Sequence, residues 1–273
     1  MDRRTFLKRA GIGLGAAALL GGGYSLLEAG WLHTDFQTLS VPTLPAPFRG
    51  LKAAFLADLH HGPRTGLDYL RAAVARVSEW QPDIVLLGGD YVYDSPRFIA
   101  PVFEMLKILR SPYGTFGILG NHDHWQSATE TRAAMRAASI VDLTNVGVTI
   151  SRGASRLRIA GVGDLWEDTQ DLTSALDDVR TGETTILLSH NPDFAERVSD
   201  ARVSLMLSGH THGGQVHVPL FGPPIVPSRY GRKYASGLVQ APVTRVFVSR
   251  GIGTIGIPVR FCCRPEINLL TLQ

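Results

Sequence analysis

Short apolar runs along this chain each break off at a small polar cluster, and the alternation recurs five times. The run Lys52-Ala53-Ala54-Phe55-Leu56-Ala57 ends in Asp58-Leu59-His60, and Asp83-Ile84-Val85-Leu86-Leu87 ends in Gly88-Gly89-Asp90. Gly117-Ile118-Leu119 leads into Gly120-Asn121-His122-Asp123, and Thr185-Ile186-Leu187-Leu188 into Ser189-His190-Asn191. Last, Ser204-Leu205-Met206-Leu207 leads into Gly209-His210-Thr211-His212. Apolar runs of this kind predict strands buried on both faces. Between the first two, Leu67, Leu70, Val74 and Val77 recur at helical spacing, with Thr65 placed to cap the helix and Pro82 to end it. Strands alternating with amphipathic helices predict an α/β protein. Loops after the carboxyl ends of such strands gather ligand-binding groups along one edge, so five polar clusters in that position predict one shared site.

Val148-Thr149-Ile150 and Leu157-Arg158-Ile159 flank Ser151 to Arg156 as a hairpin, and Arg245-Val246-Phe247-Val248 and Val259-Arg260-Phe261 add strands to the tail. Pro42, Pro45 and Pro47 give residues 31–50 the composition of an extended connector, with the folded domain expected over residues 51–273. Ahead of both, Arg3-Arg4-Thr5-Phe6-Leu7-Lys8 precedes an uncharged, Gly- and Ala-rich stretch from Ala10 to Leu27. Residues 1–30 thereby resemble a twin-arginine export signal, which implies the twin-arginine translocation machinery as a partner and a periplasmic or extracytoplasmic location. No clean Ala-x-Ala cleavage site stands between Leu20 and Trp31. A cleaved signal and an uncleaved membrane anchor therefore both stay open, the basic cluster keeping an anchor's amino end cytoplasmic.

A hydrophobic content of 44% with 19% charge describes a globular chain and excludes a disordered or fibrous one. The net charge of +3 would raise a polyanionic partner. Arg3, Arg4, Lys8 and Arg9 set against Asp2 account for all of that excess, so no nucleic-acid partner is indicated. The two cysteines, Cys262 and Cys263, are adjacent, which excludes a framework of long-range disulfides. They are expected as strand residues on opposite faces.

The polar clusters carry the chemistry. Asp58, His60, Asp90, Asn121, His190, His210 and His212 combine four imidazoles with three oxygen donors, a mixture suited to borderline divalent ions such as Mn, Fe, Zn or Co. So many ligands imply two ions. A pair about 3.5–4 Å apart can share a bridging hydroxide and clamp the attacking and leaving oxygens of a phosphate ester, with a carboxylate as the bridge between them.

The order Asp-x-His, Gly-Asp, Gly-Asn-His-Asp, a lone His and Gly-His-x-His resembles the calcineurin-like metallophosphoesterases. The resemblance implies a four-layer α/β/β/α sandwich of two mixed sheets. It assigns Asp58, His60 and His212 to one metal, Asn121, His190 and His210 to the other, and Asp90 to the bridge. His122 is implied as a non-ligand that contacts the phosphate or protonates the leaving oxygen, and Asp123 beside it is a candidate to orient its ring. The Gly213-Gly214-Gln215 extension, the Pro-rich loop from Pro219 to Tyr230, and the segments Ser249-Arg250-Gly251 and Pro258-Val259-Arg260-Phe261 resemble a membrane-associated or exported branch. That branch implies a phosphodiesterase acting on an envelope lipid- or polymer-linked phosphodiester. A metal-binding scaffold of the same fold without catalysis is the alternative, and such scaffolds lack ligands that this chain retains. His33, His61, His124 and His217 fall outside the motif positions. Arg229, Arg232 and Lys233, interleaved with Phe221, Tyr230 and Tyr234, fit either a phosphate-gripping patch or a solvated basic loop.

Overall fold

The computed structural model describes residues 21–273, so the twin-arginine motif lies outside the described residues. Among the described residues, twelve strands form two six-stranded sheets. The first runs β1 (His33–Leu39), β12 (Glu266–Leu272), β2 (Leu51–Leu56), β3 (Ile84–Leu87), β4 (Thr115–Gly117) and β5 (Ile140–Asp142). The second runs β10 (Gly237–Gln240), β11 (Arg245–Val248), β9 (Val203–Ser208), β8 (Thr184–Leu188), β7 (Ser155–Gly161) and β6 (Gly147–Arg152). Strands β2 to β5 are mutually parallel, as are β7, β8, β9 and β11, while β12 against β2, β6 against β7 and β10 against β11 are antiparallel. Both sheets are thus mixed, and β6 with β7 is the expected hairpin.

Alternation along each strand sorts its side chains between layers. Phe55, Leu86, Leu157, Ile186, Leu205 and Phe247 point into the space between the sheets. Their neighbours Ala54, Leu56, Val85 and Leu87 face the helices α2 (Leu67–Trp80), α3 (Ile99–Leu106) and α4 (Asn121–Ala137). Beyond the second sheet, Leu187, Met206 and Val246 pack under a thinner cover, the short α5 (Leu172–Ala175) and the 3₁₀ turn Pro192–Glu196. The result is the four-layer α/β/β/α sandwich.

Some local expectations change. Helix α2 is preceded by Gly66 with no side-chain cap, while Thr65 is buried and its carbonyl meets His61 Nδ1 at 2.9 Å. Strand β4 starts two residues before the expected run, at Thr115. Within the stretch expected as a connector, His33–Leu39 is an edge strand paired in parallel with β12, and Phe48 is fully buried. Pairing with the carboxyl-terminal strand supplies hydrogen bonds that composition alone cannot reveal. The leading helix, residues 21–28 (α1), also packs on the domain: Tyr24 meets Phe261 edge-to-face and the buried Glu28 accepts from the N–H groups of Cys262 and Cys263. Both cysteines are free thiols, Cys262 exposed and Cys263 buried. They sit outside any strand, with Cys262 at φ 50°, because the chain turns there to receive the Glu28 carboxylate.

Phe55 is the test of the layer between the sheets. Phe55→Ala is expected to cost about 3–5 kcal/mol of unfolding free energy, whereas Phe221→Ala, at a site 69% exposed, is expected to stay within about 0.5 kcal/mol. Chemical denaturation of both variants compares them directly.

Candidate metal centre

The carboxyl ends of β2, β3, β4, β8 and β9 meet at one edge of the sandwich, and each releases one polar cluster there. The turns are sharp. Asp58, His60, Asp90, His210 and His212 all adopt positive φ, between 46° and 70°. L-residues adopt this region at a cost of roughly 1–3 kcal/mol each, and such residues gather where function holds them. The tight curl lets main chain approach carboxylate: a Cβ on Gly120 would lie 2.2 Å from Asp90 Oδ1, so no other residue fits there.

All seven expected ligands come together and are buried. His60 Nε2 lies 3.0 Å from His212 Nε2 and 3.9 Å from Asp58 Oδ1, and His212 Nε2 lies 3.6 Å from the same Asp58 oxygen. On the other side His210 Nδ1 stands 3.0 Å from Asn121 Oδ1. Asp90 Oδ2 sits between the two halves, 3.5 Å from His60 Nε2 and 3.2 Å from His190 Nε2. Ligand atoms of Asp58, His60 and His212 fall within 4.8 Å of one another, as do those of Asp58, Asp90 and His190. His60, Asp90 and His122 form a third such group.

The donor chemistry fits divalent cations. Burial lowers the pKa of His60 and of His210 to about 3 and that of His212 well below its usual value, with the nearby His60 and Arg260 adding to the effect at His212. Neutral imidazole is the ligating form. At His190 burial also opposes charge, but the Asp90, Asp58 and Asp164 carboxylates outweigh it and raise the pKa. Its Nδ1 is 2.8 Å from the Gly88 carbonyl, which fixes the ring with Nε2 toward Asp90. Positive charge is therefore favoured between His190 and Asp90. Burial pushes Asp58 up to about 7 against the pull of His190, while at Asp90 the His190 and His60 imidazoles overcome burial and hold the carboxyl below its ordinary range.

Hydrogen bonds from the main chain fix both carboxylates. Asp58 accepts from the His210 N–H at 2.9 and 3.1 Å, and Asp90 Oδ1 from the His122 N–H at 2.9 Å. Asp123 does not orient the His122 ring. Its carboxylate instead accepts from the N–H groups of Asp90, Gly120 and Tyr91 at 2.8–2.9 Å, tying the β3 turn to the start of α4. Burial and the Asp90 carboxylate push it up to about 8, against the Gly120 and Tyr91 N–H groups that stabilise its charge. The His122 ring packs on His60, Tyr93 and Trp125 at centroid distances of 4.6–5.2 Å, and burial lowers its pKa.

A cleft of about 250 Å³ opens over the cluster, lined by Asp90, Asn121, His122, His210 and His212 on its floor and by Tyr93, Trp125, Trp166 and Ile255 on its walls. The half-exposed Trp125 donates to Glu167 Oε1 at 2.7 Å, linking the walls. Neither tryptophan stands in a motif: Trp125 closely follows the Gly120–Asp123 cluster, while Trp166 is near none of the five in sequence and carried no signal. His61, His124, His217 and His33 lie outside the cluster: His61 meets Thr65, His124 stands 3.8 Å from Asp168, His217 meets the Gly213 carbonyl, and His33 opens β1. In the basic loop, Lys233 is paired with Glu196 and Arg232 donates to the Pro223 carbonyl, so those two cations are engaged.

Residues 51–214 match the calcineurin-like phosphoesterase family. An uncharacterized metallophosphoesterase of Bacillus subtilis, YkuE, is 35% identical over all of this chain and 98% of its own length. Phosphodiesterase YaeI of Escherichia coli is 32% identical over all of this chain and 99% of its own. A bovine transmembrane protein with a metallophosphoesterase domain is 34% identical over 86% of this chain and 56% of that protein. Among solved structures, TT1561 of Thermus thermophilus superposes with a TM-score of 0.50 at 14% identity, covering 75% of this chain and 90% of that one. The sulfate thiohydrolase SoxB from the same organism gives 0.51 at 14% identity, covering 84% and 57%. Those two likenesses speak to the fold, while the family match and the end-to-end relatives go further: the chain belongs to the calcineurin-like metallophosphoesterases.

Proposed function

We propose that the protein is a two-metal phosphodiesterase, with Asp58, His60 and His212 holding one ion, Asn121, His190 and His210 the other, and Asp90 shared between them. The observation that carries this is the position of Asp90 Oδ2, within 3.5 Å of an imidazole from each half of the cluster. When bound, two divalent ions would supply Lewis acidity toward a phosphate oxygen and a nucleophile ionised near neutral pH. The chain's own residues do the rest. Neutral Asn121 completes a ligand set without adding repulsion toward an anionic ester. His122 lines the cleft at the floor's margin, where its N–H can donate to the ester oxygen that leaves, and a phosphate anion beside it raises the affinity of the ring for the proton it must pass on.

The mouth of the cleft supports a substrate with an apolar arm. Trp125 and Trp166 are about half exposed and line it, and Ile225 and Ile257, 76% and 70% exposed, stand in sequence next but one to Pro227 and next to Gly256, which line it too. Solvent-facing apolar side chains gathered in this way mark an interaction site. Together with the twin-arginine motif and the phosphodiesterase named in Escherichia coli, they favour an envelope lipid- or polymer-linked phosphodiester, met outside the cytoplasm. No helix among the described residues is long and apolar enough to cross a membrane.

Purified protein supplied with Mn, Fe, Zn or Co should hydrolyse phosphodiesters in preference to monoesters, and chelation should abolish the activity. Asp90→Asn should lower kcat by more than about 100-fold, and His122→Ala by about 100- to 1,000-fold with both ions retained. Undiminished turnover by Asp90→Asn would sink the two-metal reading, and silence toward every ester would favour a scaffold. Trp166→Ala should reduce kcat/KM for a long-chain acyl-bearing phosphodiester about tenfold more than for a methyl analogue, a difference of about 1.4 kcal/mol. Equal losses on both esters would remove the apolar arm from the proposal. Replacing Arg3 and Arg4 together by Lys should leave the protein in the cytoplasmic fraction, and unchanged export would exclude the twin-arginine route.

A further inference from the structure

Arg260 is fully buried, yet its strong hydrogen bonds go to carbonyl oxygens rather than to a carboxylate. Nη1 donates to the His212 carbonyl at 2.8 Å, and Nη2 to the Arg250 and Gly253 carbonyls at 2.8 and 2.6 Å. A buried guanidinium held only by neutral acceptors is costly, and its persistence calls for a reason. Its three short contacts all lead to the same half of the metal centre, while longer ones reach the Cys263 carbonyl and Sγ at 3.4 and 3.8 Å. His212 is itself one of the three ligands assigned to the first ion. The 250–253 segment grips Asp58 from behind and packs close against His60: the Ile252 N–H lies 3.2 and 3.3 Å from the Ala57 and Asp58 carbonyls, the Gly253 N–H donates to the Asp58 carbonyl at 2.7 Å, and a Cβ on Gly253 would come within 2.8 Å of the His60 Cβ. Gly251, at φ 73°, lies so close to Asp58 that a Cβ there would come within 2.6 Å of the Asp58 Cβ.

The guanidinium is anchored in turn. Its segment is received by α1, where the Ser25 carbonyl accepts from the Arg260 N–H at 2.9 Å and Glu28 accepts from Cys262 and Cys263 at 2.9 and 2.7 Å. By contrast Asn121 sits on the first turn of α4 and His190 is fixed by the Gly88 carbonyl, neither through Arg260, while His210 is tied to the first site by its N–H bonds to the Asp58 carboxylate. We propose that Arg260 is the positioning residue of the first metal site, one planar fork that braces His212 and, through residues 250–253, Asp58 by their main chain and backs the His60 side chain, with Glu28 holding the fork in place. The inference rests on the two-metal reading. It adds that the two ions lean on different supports, apart from the shared Asp90 and the His210–Asp58 bond, so that a change at Arg260 weakens the first ion more than the second. Only a guanidinium reaches carbonyls on two segments at once with fixed geometry.

Titration of metal-free full-length protein with Mn²⁺, followed by calorimetry and electron paramagnetic resonance, tests this without any substrate. Wild type should bind two ions and show the signal of a coupled pair. Arg260→Met should bind one ion with affinity within about threefold of wild type and lose the other by at least tenfold, leaving the spectrum of an isolated Mn²⁺. Arg260→Lys should fall between, keeping the charge but not the fork. Glu28→Gln, which leaves the guanidinium intact, should weaken the same ion by a few-fold and covers the case in which Arg260→Met does not fold. Two unchanged affinities in a folded Arg260 variant, or equal weakening of both sites in Arg260→Lys and Glu28→Gln, would overturn the proposal. A wild type that binds a single ion would instead overturn the two-metal reading itself.

Discussion

Two carboxylates and four imidazoles are buried within contact of one another at the sandwich edge, and the rest of the architecture is arranged to make that tolerable. Each carboxylate taken out of water costs several kcal/mol unless its oxygens are satisfied. Main-chain N–H groups meet that need, from His210 to Asp58 and from His122 to Asp90. The His210 N–H points inward because its turn curls into the left-handed region, a conformation with its own cost at five ligand positions, and the His122 N–H because it lies on the first turn of α4. Desolvation and strain thus accumulate at one edge, and a cation that binds only the folded cluster returns stability by mass action. The double-faced core beneath, with Phe55 and Leu86 on one side and Leu56 and Leu87 on the other, supplies the rigidity that holds such turns.

Much of the fold was legible because burial on both faces leaves an unmistakable run of apolar residues. β2, β3, β8 and β9 all carry one. The edges were not legible for the complementary reason. His33–Leu39 is half exposed and contains Asp35, Gln37 and Thr38, and its place in the sheet comes from pairing with β12 at the far end of the chain. A strand whose partner lies more than two hundred residues away has no local signature beyond its extended backbone. The stretch therefore reads as connector by composition and as sheet by hydrogen bonding. The cysteine pair misleads in the same way, since a turn imposed by Glu28 has no mark at positions 262 and 263 themselves.

Within the candidate site, residues that present side-chain donors to the cluster were legible, and residues that act through the main chain were not. Asp58, His60, Asp90, Asn121, His190, His210 and His212 sit in short motifs whose chemistry is stated by residue type. Asp123 could be read only as a neighbour of His122, because nothing in the sequence says that its oxygens turn away toward three amide groups. Arg260 was visible only as one member of a Pro-Val-Arg-Phe segment, since its partners are carbonyls, which every residue possesses. A sequence records which side chains are available. It does not record which backbone atoms need holding.

The tie between α1 and the domain bears on how the leading segment is handled. Glu28 is fully buried and supplies both acceptors for the turn at Cys262 and Cys263, while Tyr24 packs against Trp31 and Phe261. Removing the chain through position 28 would strand the buried Cys263 N–H, at about 1–3 kcal/mol, and leave the part-buried Cys262 N–H to solvent, on the segment that carries Arg260. Residues 21–28 thus act as part of the folded domain, because Glu28 and Tyr24 complete the turn that carries Cys262, Cys263 and Phe261.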